Sequence, residues 1–315
     1  MLDTATLDHL LTKTSRTFAL AIPLLEEPTR RAVSLAYLVL RLADTFEDAT
    51  EWGRAERVAA LDAFARLLGP QTSEPTARAS SADGRASAEA ASLTARWLAA
   101  PPTRSPALLE LLARTPDVMA SLDALAPSAR AIVARHARRT TDGMALVVTR
   151  ADERGSLRLS SVEELRDYCY TVAGIVGELL TEIFLHDAPS LAAERAELER
   201  TMVAFGEGLQ LVNILKDSEG DAKEGRAYLP PGASRAEVLA LAREDLALGQ
   251  AYLSALVRGR APRGTVGFCA LLLTLATAAL DRVEARGAGA KIAREDVLRM
   301  HDEARDFARR AQGQR

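Results

Sequence analysis

Apolar residues recur every three to four positions through most of this chain, and no stretch alternates long enough to demand a strand. A sequence with that period has few options: its apolar stripes must bury against one another as packed helices. The pattern predicts long helices over Pro28–Thr50, Ser128–Arg150, Val162–Leu185, Leu191–Asp217, Val238–Gly259, Thr265–Arg286 and Arg294–Arg309. Composition agrees: Ala, Leu and Arg, all helix formers, dominate, and aromatics are only 4%, which argues against a sandwich or barrel. The fold class expected is all-α.

Two intervals break the period. Gly69–Asp83, rich in Pro, Ser, Thr and Ala, reads as a loop, and Pro101, Pro102 and Pro106 punctuate a second turn. Neither reads as a domain linker, because the helical pattern resumes beyond each, so the 315 residues are expected to form one domain. A net charge of −3 with no long basic run excludes nucleic acid as an expected partner. Cys169 and Cys269 lack metal-ligand spacing and form no disulfide framework, which suits a reducing, cytoplasmic compartment. The first residues show no signal pattern. The apolar run Val266–Leu280 is short for a membrane span and reads as a buried core helix; peripheral membrane contact by a monomer is the expectation. His9, His136, His186 and His301 show no ligand spacing.

Chemistry concentrates on two helices. On the first, Asp44, Glu47 and Asp48 lie three and four positions apart, so they share one face, with Arg41 and Tyr37 on successive earlier turns. Like charges so spaced destabilise a helix, and a divalent cation would relieve them; Mg²⁺ takes one or two carboxylates together with phosphate oxygens. Read alone, the motif is equally an acidic, solvated face. On the second, Gln210, Asn213, Asp217 and Asp221 fall within an arc of roughly 80°, backed by Leu209, Val212 and Ile214. Gly220 and Gly225 predict fraying there, and a plain polar helix end would look the same. Two such helices in one chain suggest carboxylate clusters that hold Mg²⁺ against a diphosphate, with Arg41, Lys216 and Arg226 balancing charge.

With these motifs in view, the sequence resembles the squalene/phytoene synthase family. The matching stretches are Ser15 to Ala19 (SRTFA), Asp44 to Asp48, Asp167 to Gly177 (DYCYTVAGIVG), and Gln210 to Asp221 continued by Gly225 to Pro230 (GRAYLP). The resemblance runs from Ser15 to Lys291. Tyr37 to Arg41 (YLVLR), and Phe268 to Ala270 with the run that follows, look more like squalene synthase than phytoene synthase. There are departures: Gly220 stands where the family usually has Glu, with Glu219 one position early, and Lys216 replaces an Arg.

The resemblance implies an isoprenoid-synthase helical bundle around a central cavity and head-to-head condensation of two farnesyl diphosphates to presqualene diphosphate, then squalene. It implies Mg²⁺ held by Asp44, Glu47, Asp48, Asp217 and Asp221, and catalysis by Tyr168 with Arg41, Asp44 and Asp48. Ser15, Arg16, Phe18, Tyr37, Gln210, Asn213, Lys216, Arg226 and Phe268 would bind substrate. NADPH is implied by resemblance only, with Lys291 and Arg294 as phosphate candidates; Gly287 to Gly289 follow a helix and make no dinucleotide fingerprint. The rival readings are a phytoene, dehydrosqualene or hydroxysqualene synthase, and a non-catalytic assembly factor.

Overall fold

Local hydrogen bonding explains where several helices start. Asp3, Ser161 and Ser234 each accept a backbone N–H from the first helical turn, so Thr4–Thr14 (α1), Val162–Cys169 (α9) and Arg235–Arg258 (α12) begin where they do. The Glu164 carboxylate reaches back to the Ser160 N–H and reinforces the start of α9. The computed structural model describes the chain except residues 16, 50, 70–79, 153–155, 224 and 314–315. Its residues group into two compact units, Met1–Ala19 with Arg31–Gly155, and Leu20–Arg30 with Ser156–Arg315.

After α1 the chain forms Phe18–Ala21 (α2), Thr29–Glu47 (α3), Arg54–Leu68 (α4), Ser80–Ala99 (α5), Pro106–Ala113 (α6), Thr115–Asp123 (α7) and Pro127–Thr149 (α8). In the first unit α4 lies along α8, and Phe46 of α3 centres an aromatic cluster. Its ring lies 4.5 Å from Trp97, 5.7 Å from Phe64 and 6.0 Å from Trp52. Full burial of such a side chain contributes about 1.5–3 kcal/mol. The expected loop at 69–83 is corrected at its far end: α5 already starts at Ser80 and runs to Ala99, carried by the alanines of its later turns. The rest of that loop, 70–79, lies outside the described residues.

In the second unit α9 is followed by Ile175–Asp187 (α10), Arg195–Lys223 (α11), α12, Arg263–Arg286 (α13) and Arg294–Gly313 (α14). Successive helices from α10 to α14 pack against one another, with α13 as the central element: Gly264–Leu273 are buried without a break. This helix is long and apolar enough to cross a membrane, but 72% of its apolar window is buried within the protein, the mark of a core helix. Two cysteines of this unit, Cys169 and Cys269, are fully buried, and burial pushes both thiols well above their ordinary range.

The helix expected over Val162–Leu185 is interrupted. Tyr170–Gly174 form a π-helical turn between α9 and α10. Beyond it α10 and α11 meet backbone to backbone: a Cβ on Gly177 would stand 2.0 Å from the Met202 carbonyl oxygen, and one on Gly206 would stand 2.1 Å from that of Ala173. Only glycine permits that approach. A two-residue parallel bridge, Leu157–Arg158 with Arg226–Ala227, ties the entry of α9 to the exit of α11.

Candidate active site

The first acidic stretch occupies the C-terminal half of α3. Apolar positions Leu35, Leu38, Val39 and Leu42 bury one side of that helix completely and fix which way the polar stripe faces. Arg41 Nη1 lies 3.4 Å from Asp44 Oδ2, and the Arg41 Nε is buried with no hydrogen-bond partner among the described residues. That guanidinium therefore retains a donor for an anion. Protein crowds the Asp44 carboxyl although about a third of its side chain, 35%, still meets solvent. Desolvation pushes Asp44 up to about 6, the neighbouring Asp48 adds to that, and Arg41 opposes it. Asp48 is exposed, whereas Glu47 is only 5% exposed and its carbonyl accepts a hydrogen bond from the buried Arg57. The carboxylates of the motif are thus graded from surface to interior.

One turn earlier, the Tyr37 hydroxyl donates to the Thr14 carbonyl at 2.8 Å, and its ring tilts against Phe18 at 5.4 Å. Ser15 Oγ accepts the Phe18 N–H at 2.9 Å. Ser15, Phe18, Tyr37, Arg41 and Asp44 thus belong to one unit around the start of α2 and the face of α3. Arg16 lies outside the described residues.

The second acidic stretch behaves differently. The fraying expected at Gly220 does not occur: α11 continues to Lys223, and the break falls at Gly225, whose φ is +80°. Gln210 is half-buried, while Asn213 and Asp217 are exposed. Lys216 Nζ lies 3.2 Å from Asp217 Oδ2 and donates to Asn213 Oδ1 at 3.4 Å. Arg226 reaches Asp221 at 3.3 Å, and both side chains are largely enclosed. The segment after α13 fastens to this place: the Gly289 N–H donates to the Lys216 carbonyl at 2.8 Å, while Lys291 and Arg294 stay exposed.

Tyr168 projects from α9 and is 6% exposed. Its ring stacks on Tyr228 at 4.7 Å and 21°. Phe268 is fully buried and meets Phe184 edge-on at 6.3 Å, a core packing contact. Sequence reasoning missed a charged trio that starts two residues before Tyr168: a partly exposed arginine with two buried carboxylates. Arg166 Nη1 donates to Glu207 Oε2 at 2.8 Å and also to Asp245 Oδ2. Desolvation pushes Glu207 up to about 7, with Arg166 opposing, and raises Asp245 as well. The partners lie 41 and 79 residues from Arg166, so no local spacing could have found them.

The donor set suits Mg²⁺: hard carboxylate oxygens, crowded in α3 against like charge that a cation would relieve. Among the described residues, no three His, Cys, Asp or Glu side chains converge as a closed metal cage. Mg²⁺ commonly takes only one or two protein carboxylates and completes its shell with phosphate oxygens and water, so these open clusters fit it.

The architecture is shared with solved structures. A complex of TcSQS with a ligand superposes with a TM-score of 0.70 at 20% identity, covering 95% of this chain and 85% of that one. A dehydrosqualene synthase in complex with a ligand gives 0.57 at 17% identity, covering 97% and 96%. The chain therefore has the all-α isoprenoid-synthase fold. The squalene/phytoene synthase family model matches residues 11–231, and the chain belongs to that family. The squalene synthase of Eremothecium gossypii is 29% identical over 226 residues, 70% of this chain and 45% of that protein. The phytoene synthase of Thermus thermophilus is 33% identical over 142 residues, 42% of this chain and 46% of that protein. The chain spans about half the length of the curated relatives it matches.

Proposed function

We propose that this protein is a squalene synthase: it condenses two farnesyl diphosphates to presqualene diphosphate and pyrophosphate, then reduces that intermediate to squalene. One observation carries the choice within the family. Several squalene synthases match over 70% of this chain, whereas the phytoene synthase of Thermus thermophilus matches over 42%.

In this reading Asp44, Glu47 and Asp48 at the end of α3, and Asp217 and Asp221 on α11, would hold Mg²⁺, which would supply Lewis-acid stabilisation of the leaving diphosphate. Arg41, with its unused buried donor, and the cations Lys216 and Arg226 bind the diphosphate charge. The Tyr168 ring offers a π face to a carbocation, and its hydroxyl accepts and passes on the proton lost as the cyclopropane closes. Buried aliphatic helices keep water from quenching the cations. The second half would need a hydride, which NADPH would supply; exposed Lys291 and Arg294 fit its phosphate by charge alone, since no strand–turn–helix nucleotide motif forms among the described residues.

A second reading, phytoene synthase, draws on the higher identity of shorter stretches, 42% over 95 residues with the bifunctional lycopene cyclase/phytoene synthase of Phaffia rhodozyma. Product analysis separates the two. Farnesyl diphosphate with Mg²⁺ should yield presqualene diphosphate, and adding NADPH should yield squalene. Turnover of only a longer prenyl diphosphate, or a hydroxylated or dehydrogenated product with NADPH present, would reject the proposal. No turnover at all would favour an assembly role.

A further inference from the structure

We propose that Arg166, Glu207 and Asp245 form a positioning device that fixes the ring of Tyr168, acting on the reaction through that tyrosine without touching substrate. This deepens the reading above and rests on it for its catalytic consequence. The geometry begins with α9, which is only eight residues long and ends in the π-helical turn Tyr170–Gly174. A π turn carries one extra residue per hydrogen-bonded ring and so shifts the register between α9 and α10. A helix of eight residues is marginal on its own, so the orientation of Tyr168 depends on what holds α9 to its neighbours.

The trio sets it from both ends of the turn. Before the turn, Arg166 spans α9 to α11 through Glu207, and α9 to α12 through Asp245. At the far end, the position a Cβ would take on Gly174 lies 3.4 Å from Glu207 Oε1. One carboxylate thus holds the arginine with one oxygen and lies beside the end of the π turn with the other. The side chains of Glu207 and Asp245 are 10% and 3% exposed, so each depends on the guanidinium to offset its desolvation. Asp245 is in turn locked by the helix pair: the position of a Cβ on Gly208 lies 3.1 Å from its Cβ. Tyr168 and Tyr228, stacked at 4.7 Å, are the readout of this arrangement.

The test uses the 315-residue chain labelled with 3-fluorotyrosine. It has five tyrosines, and the Tyr168 and Tyr228 signals are assigned with the corresponding Phe variants. Glu207→Leu removes one of the two acceptors for Arg166 and leaves Asp245; Glu207→Gln keeps both. The expected result is a shift of the Tyr168 and Tyr228 ¹⁹F resonances in Glu207→Leu, with the Tyr37 resonance unmoved. Its kcat should fall about 10-fold with KM for farnesyl diphosphate unchanged, and Glu207→Gln should restore both. Should Glu207→Leu fail to fold, Asp245→Leu set against Asp245→Asn supplies the same comparison. A folded variant with unshifted Tyr168 and Tyr228 resonances, or a loss confined to thermal stability, overturns the proposal. If Tyr168→Phe is fully active while the resonances still shift, the catalytic reading of Tyr168 falls and the positioning of its ring stands.

Discussion

The two acidic stretches use the same residue types and put them in opposite environments. In α3 the carboxylates sit on a helix whose other side is fully buried, and Asp44 is crowded enough to be held near pH 6. At the end of α11, Asp217 is 56% exposed and keeps a loose lysine neighbour. The first cluster crowds its charge at Asp44 and leaves Asp48 exposed; the second leaves Asp217 solvated and encloses Asp221 against Arg226. Spacing on a helical wheel cannot tell these apart, because it gives direction around an axis and nothing about what packs there.

The sharpest way to break this comparison is to remove one charge from each cluster. Asp48→Asn and Asp217→Asn should each lower turnover at least 10²-fold, roughly 3 kcal/mol in the barrier, if both clusters hold metal. Steady-state rates at limiting Mg²⁺ check this, and normal turnover by either variant would remove that cluster from the mechanism. Stability should separate them next. A carboxyl raised above its unfolded value stabilises the fold only while protonated, and that contribution is lost as pH rises from about 4 to about 6. Without divalent cations at pH 7.5, Asp44→Asn should therefore melt a few degrees higher than wild type, and the gain should vanish below pH 4. Asp217→Asn should leave the melting temperature unchanged at both.

The smallest effect concerns Gly220. Nothing lies within 4 Å of where its Cβ would be, so Gly220→Glu meets no steric obstacle. Replacing a helical glycine gains up to about 1 kcal/mol, but a new negative charge beside Asp217, Asp221 and the helix C-terminus opposes it. Melting without metal should barely change, Mg²⁺ should add about 2 °C, and half-saturation by Mg²⁺ should fall several-fold. An unchanged metal requirement would show that the glutamate is not what this cluster lacks.

Much of this was legible in the sequence, for a physical reason. The long helices α3, α8 and α11 to α14 announce themselves because each buries a continuous apolar stripe. Helices α1, α6 and α7 escaped because they are short, and α4 because much of its buried stripe is alanine. The π turn left no mark, since Tyr170–Gly174 reads as ordinary helix. The stack of Tyr168 on Tyr228 and the Arg166 trio are tertiary facts: the first joins α9 to the segment after α11, the second joins α9 to α11 and α12. Their only local trace is Gly174, Gly206 and Gly208, small residues where helices must meet closely.

The two buried thiols have a practical consequence. Both belong to the second unit, and neither is reachable or ionised while that unit is closed. A thiol-trapping reagent added to the native protein therefore records how often this half of the chain opens, and records nothing of the first. The chain carries a built-in clock for the breathing of one unit, and it runs without any label being engineered in.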